Sequence, residues 1–115
     1  MRRTFLLAAL LSGCAFGSSH LDEVDPEAAP ATPTWSAHVL PILEHRCTAC
    51  HADDALPGKA AGYGFGTCAE AKRHWGELYE TAFIELSMPP GGAPRLESWE
   101  MLTLQRWHDQ GGRCD

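Results

Sequence analysis

The sequence predicts an all-α fold for residues 34–115. Three segments place apolar residues at the spacing of an amphipathic helix, and no stretch shows the sustained apolar and polar alternation of a strand. A folded part of about eighty residues has only a marginal core of its own. We therefore expect a small domain of about three helices that packs around an additional stabilising group.

The first predicted helix extends from about Thr34 to Arg46. Its apolar residues at helical spacing are Trp35, Val39, Ile42 and Leu43. Proline has no backbone N–H for a helix interior, so Pro41 is expected to bend this helix. The helix leads directly into residues 47–51, the segment with the most distinctive chemistry.

The second predicted helix extends from Cys68 to about Leu86. Thr67 precedes it and Glu70 follows three residues later, which is the spacing of a capping box. Its apolar face consists of Ala71, Trp75, Leu78, Ala82 and Phe83. The end of this helix brings the chain to Met88.

The third predicted helix extends from about Trp99 to Gln110. Ser98 is expected to cap it, and Gly111 and Gly112 are expected to end it. Its apolar residues, which we expect to be largely buried, are Trp99, Leu102, Leu104 and Trp107.

Residues 47–51 read Cys-Thr-Ala-Cys-His, and this motif on an exported chain is the attachment signature of c-type haem. Two thiols three positions apart can each add to one haem vinyl group, while His51 offers an imidazole nitrogen to the iron. The sequence therefore predicts one covalent haem c, held by Cys47 and Cys50 with His51 as axial ligand. The alternative is a zinc pair, a redox pair or a small disulfide, although the sequence has no second ligand pair at similar spacing for zinc.

With this motif and the run Ser-Met-Pro-Pro-Gly at residues 87–91, the chain resembles a small bacterial c-type cytochrome. In that family a methionine beside prolines supplies the second axial ligand, so the resemblance implies this role for Met88. Pro89 and Pro90 forbid helix after Met88 and would hold its thioether in an extended loop. The resemblance covers roughly residues 34–114.

Other assignments of the second axial position stay open. Met88 is alternatively a methionine packed in the core or against an aromatic ring. Bis-histidine ligation through His74 or His108 is a further alternative.

The first thirteen residues resemble a bacterial lipoprotein signal peptide, with two arginines, a short apolar stretch and Leu-Ser-Gly before Cys14. Cleavage there would make Cys14 the acylated first residue; the alternative is an ordinary secretory signal with an incidental cysteine. Residues 14–33 are rich in Ser, Ala, Pro and acid and are expected to form a tether. We therefore expect an exported protein, anchored by lipid to a bacterial membrane on its periplasmic side or at the cell surface.

The number of cysteines agrees with these assignments. Of the five cysteines, one is assigned to lipid and two to haem, which leaves Cys68 and Cys114. In an oxidising compartment these two are expected to form a disulfide between the start of the second helix and the end of the chain. The alternative is a pair of free, buried thiols.

The charge of the chain restricts its partners. Nine Lys and Arg stand against fifteen Asp and Glu, and two of the nine are in the predicted signal peptide. A mostly negative surface argues against nucleic acid and favours redox proteins with a basic docking patch. The expected partners are such redox proteins and, through the lipid anchor, a membrane.

The leading functional prediction is a c-type cytochrome that carries single electrons and is not an enzyme, because two axial ligands would exclude a substrate from the iron. A second hypothesis is a haem sensor or peroxidase-like enzyme in which Met88 does not ligate the iron. A third is a haem-free structural lipoprotein whose cysteines are structural or bind zinc.

Overall fold

The computed structural model describes residues 25–51, 64–91, 93 and 95–115. Within these residues the protein is helical and has no strand, which confirms the predicted all-α class. The α-helices there are α1 (Leu40–Arg46), α2 (Thr48–His51), α3 (Cys68–Arg73), α4 (Trp75–Leu78) and α5 (Ser98–Asp109). The same part contains a 3₁₀ turn at Pro26–Ala28 and π-helical turns at Trp35–Val39 and Tyr79–Ile84.

The first predicted helix has two consecutive geometries. The π-helical turn includes a hydrogen bond of 3.2 Å from the Val39 amide to the Thr34 carbonyl, and α1 follows it without a break. Pro41 lies in the first turn of α1, where the missing N–H costs least. The proline is therefore accommodated at the point where the π-helical turn becomes an α-helix.

The second predicted helix is interrupted at His74, whose φ of −103° and ψ of 19° depart from helical values. The predicted cap is confirmed, because the Thr67 hydroxyl accepts a hydrogen bond from the Glu70 amide at 3.2 Å. The helical segment ends before Leu86, which has a left-handed φ of 55°.

The third helix begins close to its predicted start but has a different cap. Glu97, rather than Ser98, is the cap residue, so the prediction for Ser98 is wrong. The Glu97 side chain accepts from the Glu100 amide, and the Glu100 carboxylate accepts from the Glu97 amide at 2.9 Å. Gly111 and Gly112 have φ of 102° and 61° and end the helix as predicted.

Aromatic rings from all three helical segments form the centre of the core. Trp107 of α5 lies 5.7 Å from Trp35 and 6.5 Å from Trp75, measured between ring centroids. Trp75 also lies 5.8 Å from Phe83. The predicted apolar faces of the first two segments are buried around these rings, as are Leu104 and Trp107 of the third. Leu102 is only half-buried and Trp99 is 41% exposed, so the predicted burial is only partial for Leu102 and wrong for Trp99. Its position in the first turn of α5 places it at the edge of the packed part.

Residues 25–33, the last part of the segment assigned to the tether, lie against α5. Arg106 donates from Nη1 to the Ala29 carbonyl at 2.9 Å and from Nη2 to the Pro26 carbonyl at 2.8 Å. Gln110 donates from Nε2 to the Ala31 carbonyl at 2.8 Å. These bonds attach the N-terminal part of the described chain to the last helix, because the guanidinium fork can serve several acceptors at once.

Candidate functional site

The end of α1 and the short helix α2 bring Cys47 and His51 together. The Cys47 amide donates to the Leu43 carbonyl at 2.7 Å, and the His51 amide donates to the Cys47 carbonyl at 3.0 Å. The second of these bonds closes one helical turn between residues 47 and 51, although Cys47 itself, between α1 and α2, has a non-helical φ of −125°. Cys50 lies in α2 between them, and its side chain lies outside the described part of the structure.

Cys47 is a free, half-buried thiol that packs against the hydrophobic core. Burial raises the pKa of its thiol to about 12; the negative charge of Glu100 acts in the same direction and Arg46 opposes it. The sulfur atom is therefore uncharged at neutral pH. Since the thiolate is the nucleophilic form, Cys47 is not an activated nucleophile in the folded chain.

An ion pair next to Cys47 connects α1 to α5. Arg46 donates to the Glu100 carboxylate from Nε at 3.1 Å and from Nη2 at 2.8 Å. The side chains are 9% and 3% exposed, respectively, and the hydrogen bond to Glu100 is the main cause of a raised pKa for Arg46. No sequence pattern predicted this pair, because its members lie 54 residues apart. The Glu-x-x-Glu spacing at Glu97 and Glu100 was the available signal that Glu100 has a fixed structural role.

Phe65 is a further residue of the site that no sequence pattern predicted. Its ring meets the His51 ring edge-on, with centroids 5.3 Å apart and planes at 73°. The Phe65 amide also donates to the His51 carbonyl at 3.3 Å. A buried aromatic residue beside a glycine carries no signal in the sequence that it contacts a particular histidine.

Met88 lies in the extended segment after the second helical stretch. It is 40% exposed, unlike a methionine in a packed core. Its amide donates to the Thr81 carbonyl at 3.2 Å, and the Ser87 amide donates to the same carbonyl at 2.8 Å. These bonds attach the backbone before Pro89 to the preceding π-helical turn, Tyr79–Ile84.

The histidines considered as alternative ligands have aromatic neighbours. The His108 ring stacks on Trp75 with centroids 4.3 Å apart and planes at 8°. The His74 ring meets Phe65 edge-on at 6.3 Å. Among the described residues, no group of three or more His, Cys, Asp and Glu side chains is arranged to hold a metal ion.

The predicted disulfide is present between Cys68 and Cys114, whose Cα atoms are 5.7 Å apart. It ties the first residue of α3 to the residue before the C-terminus. Cys14 lies outside the described residues. No helix in the described ranges is long and apolar enough to span a membrane.

A cleft of about 420 Å³ lies beside the ion pair. Helix α1 and the start of α5 form most of it, and its lining includes Pro41, His45, Arg46, Trp99 and Glu100. The exposed Trp99 ring supplies one aromatic wall of this cleft.

Comparison with known proteins identifies a relative of another class. The chain is 31% identical over 114 residues to an NAD(P)H-hydrate epimerase of Cereibacter sphaeroides, and the match covers 93% of the chain and 48% of that protein. The chain thus spans about half the length of the curated relative it matches. No known protein family matches the sequence, and no solved structure does.

These findings contradict the predicted membership of the c-type cytochromes. The sequence matches no cytochrome family, and the relative found is named as an enzyme. The resemblance depended on two runs of five residues, whereas the match to the epimerase extends over most of the chain. Short motifs indicate chemistry at a few positions, and they do not establish common descent of a whole domain.

The functional predictions that followed from that resemblance are corrected with it. The role as an electron-carrying cytochrome lipoprotein and the statement that the protein is not an enzyme are both contradicted by the similarity to an epimerase. Two axial ligands would exclude a substrate from the iron alone, and they would not prevent chemistry elsewhere on the chain.

Proposed function

We propose that this chain binds one haem covalently through Cys47 and Cys50, with His51 as an axial ligand of the iron. The observation that carries the proposal is the pairing of the Cys47 carbonyl with the His51 amide across one helical turn, within a Cys-X-X-Cys-His sequence. This proposal concerns the cofactor alone and assigns no electron-carrier role.

The surroundings of Cys47 fit such an attachment. Each thiol adds as S–H across a vinyl C=C bond, forming a C–S bond with no oxidant or reductant. The product is an uncharged thioether, and the buried position of Cys47 favours an uncharged sulfur over a thiolate. Bound haem would supply an iron centre with one axial position taken by the His51 imidazole.

Three large apolar side chains among the described residues are exposed to solvent. Ile84, Met88 and Trp99 are 56%, 40% and 41% exposed, and Met88 is the residue proposed for the second axial position. A haem needs apolar surface to cover its faces, and a thioether ligand must be accessible before it can reach the iron.

Reduced pyridine haemochrome spectra and a haem stain on denaturing gels test the attachment. The full chain is produced together with a haem-attachment system, beside Cys47→Ala, Cys50→Ala and the double variant. The matched control is Cys68→Ala/Cys114→Ala, which removes two cysteines outside the motif. We expect covalent haem in the parent and the control and none in the double variant; absence from the parent contradicts the proposal.

Export and acylation at Cys14 stay proposals of the same kind. Together with the tether they would place the domain near a bacterial membrane. Mass spectrometry of the protein extracted from membranes tests them, since an acylated Cys14 at the N-terminus is expected. An unmodified chain that begins at Met1 contradicts them.

A second candidate function comes from the relative. Its name describes an epimerase acting on NAD(P)H hydrate, and the aligned part covers nearly the whole of this chain. The cleft beside Arg46 is the place where we would look for such activity, because the exposed Trp99 ring could stack on a nucleotide base. Conversion between NAD(P)H-hydrate epimers by the parent, reduced in Trp99→Ala, would support it; no conversion by the parent contradicts it.

A further inference from the structure

Phe65 contacts the proposed iron ligand through both its side chain and its backbone. The ring lies edge-on to the His51 ring at 5.3 Å, and the Phe65 amide donates to the His51 carbonyl at 3.3 Å. An edge-to-face contact between rings is directional, so it restrains rotation of the imidazole as well as its position. The two contacts together attach residue 51 to a segment that follows it by fourteen positions.

Phe65 is itself held in place by the core and by α3. It is 6% exposed and belongs to the core cluster. Its neighbour Gly64 is packed closely, since a Cβ atom there would lie 2.6 Å from a carboxylate oxygen of Glu70. Two residues after Phe65, Thr67 caps α3, and Cys68 is bonded to Cys114. The core and the capped, disulfide-bonded start of α3 therefore restrain this segment.

We propose that Phe65 is a positioning residue that sets the orientation of the His51 imidazole plane. The packing follows from the structure, and its consequence for the iron rests on the proposed haem attachment. Ligand histidines keep one ring orientation when neighbouring groups fix them, and this orientation tunes the metal they bind. Phe65 contacts His51, so its effect on a bound iron would be transmitted through the imidazole.

The experiment compares Phe65→Leu with two matched variants. Phe65→Tyr retains the aromatic ring, and Phe83→Leu removes a ring of similar burial that packs on Trp75 and Tyr79. In the ferric, haem-loaded full chain, the order and spacing of the haem methyl proton signals report the angle of the axial imidazole plane. We expect these signals to shift in Phe65→Leu and to keep the parental pattern in Phe65→Tyr and Phe83→Leu. A parental pattern in Phe65→Leu, or an equal shift in Phe83→Leu, overturns the proposal.

A second readout separates this inference from the haem proposal. In the full chain produced without haem, nuclear Overhauser contacts between the Phe65 and His51 rings are expected, and the His51 ring protons should shift in Phe65→Leu but not in Phe83→Leu. Failure to attach haem with these ring contacts present would refute the attachment while leaving the packing intact. Attachment of haem without the contacts would refute the positioning role alone.

Discussion

The buried ion pair between Arg46 and Glu100 allows a quantitative test of how α1 is held to α5. Removing one member of a buried pair leaves the other charged and desolvated, which typically costs about 3–5 kcal/mol. Both side chains are at least nine-tenths buried, so we expect Arg46→Met and Glu100→Leu each to lower the free energy of unfolding by an amount in this range. The double variant leaves no uncompensated charge. It should lose only about 1 kcal/mol, because the Glu97 amide no longer has its capping acceptor.

Urea denaturation followed by circular dichroism measures these differences without the charge screening that guanidinium chloride would add. Samples are compared at equal haem content, and the exposed Arg95→Met serves as the control, with an expected change within about 0.5 kcal/mol. Single variants that each lose less than about 1 kcal/mol, or a double variant as unstable as the two losses combined, would refute a desolvated pair.

Four further predictions concern the disulfide, Cys47 and Arg106. Replacing both disulfide cysteines, Cys68→Ala/Cys114→Ala, should lower the free energy of unfolding in urea by about 4 kcal/mol, because the bond closes a separation of 46 residues; a loss below about 1 kcal/mol would contradict this. In the haem-free chain carrying Cys50→Ser, Cys47 should react with iodoacetamide about 1000-fold more slowly at pH 8 than in urea, and similar rates would show the thiol to be accessible and ionisable. The pKa of the Cys47 thiol is about 12 in the folded chain and 9.0 in the unfolded chain, so the unfolded chain loses this proton at lower pH. The contribution of Cys47 to the free energy of unfolding is therefore lost as the pH rises from 9 to 12. Finally, Arg106→Leu should release residues 26–30 from α5 and speed proteolysis there, whereas the exposed Arg113→Leu should not. Equal cleavage in the two variants would refute the attachment of these residues by Arg106.

The helices were predictable because their signals are local. The Thr67 cap, the two glycines after α5 and the apolar spacing of the second segment all act within a few residues, and each was confirmed. The cap of α5 was assigned to Ser98 because serine is a favoured cap residue, but Glu97 and Glu100 cap each other reciprocally. Trp99 was expected in the core because it is a large apolar residue in the helical pattern. That prediction was wrong because the pattern does not show where a helix leaves the packed region.

The contacts around the candidate site depend on residues far apart in the sequence. Arg46 and Glu100 follow no pattern that could pair them before the fold is known, and Phe65 has no motif that assigns it to His51. The disulfide was the exception, because the predicted assignment of the other three cysteines left a single pair. The prediction of the protein family was wrong for the opposite reason, since two short motifs were taken as evidence for the class of a whole domain.

The surroundings of Cys47 have a consequence for when haem attachment would occur. Thioether formation needs an accessible sulfur atom, but the folded chain holds this thiol against the core, next to the ion pair that joins α1 to α5. The raised pKa of the thiol further disfavours the reactive thiolate. Attachment would therefore precede closure of α1 on α5, while the Cys47 thiol is still exposed. On this argument the structure that buries Cys47 is suited to keeping a thioether, and the unfolded chain is the form suited to making it.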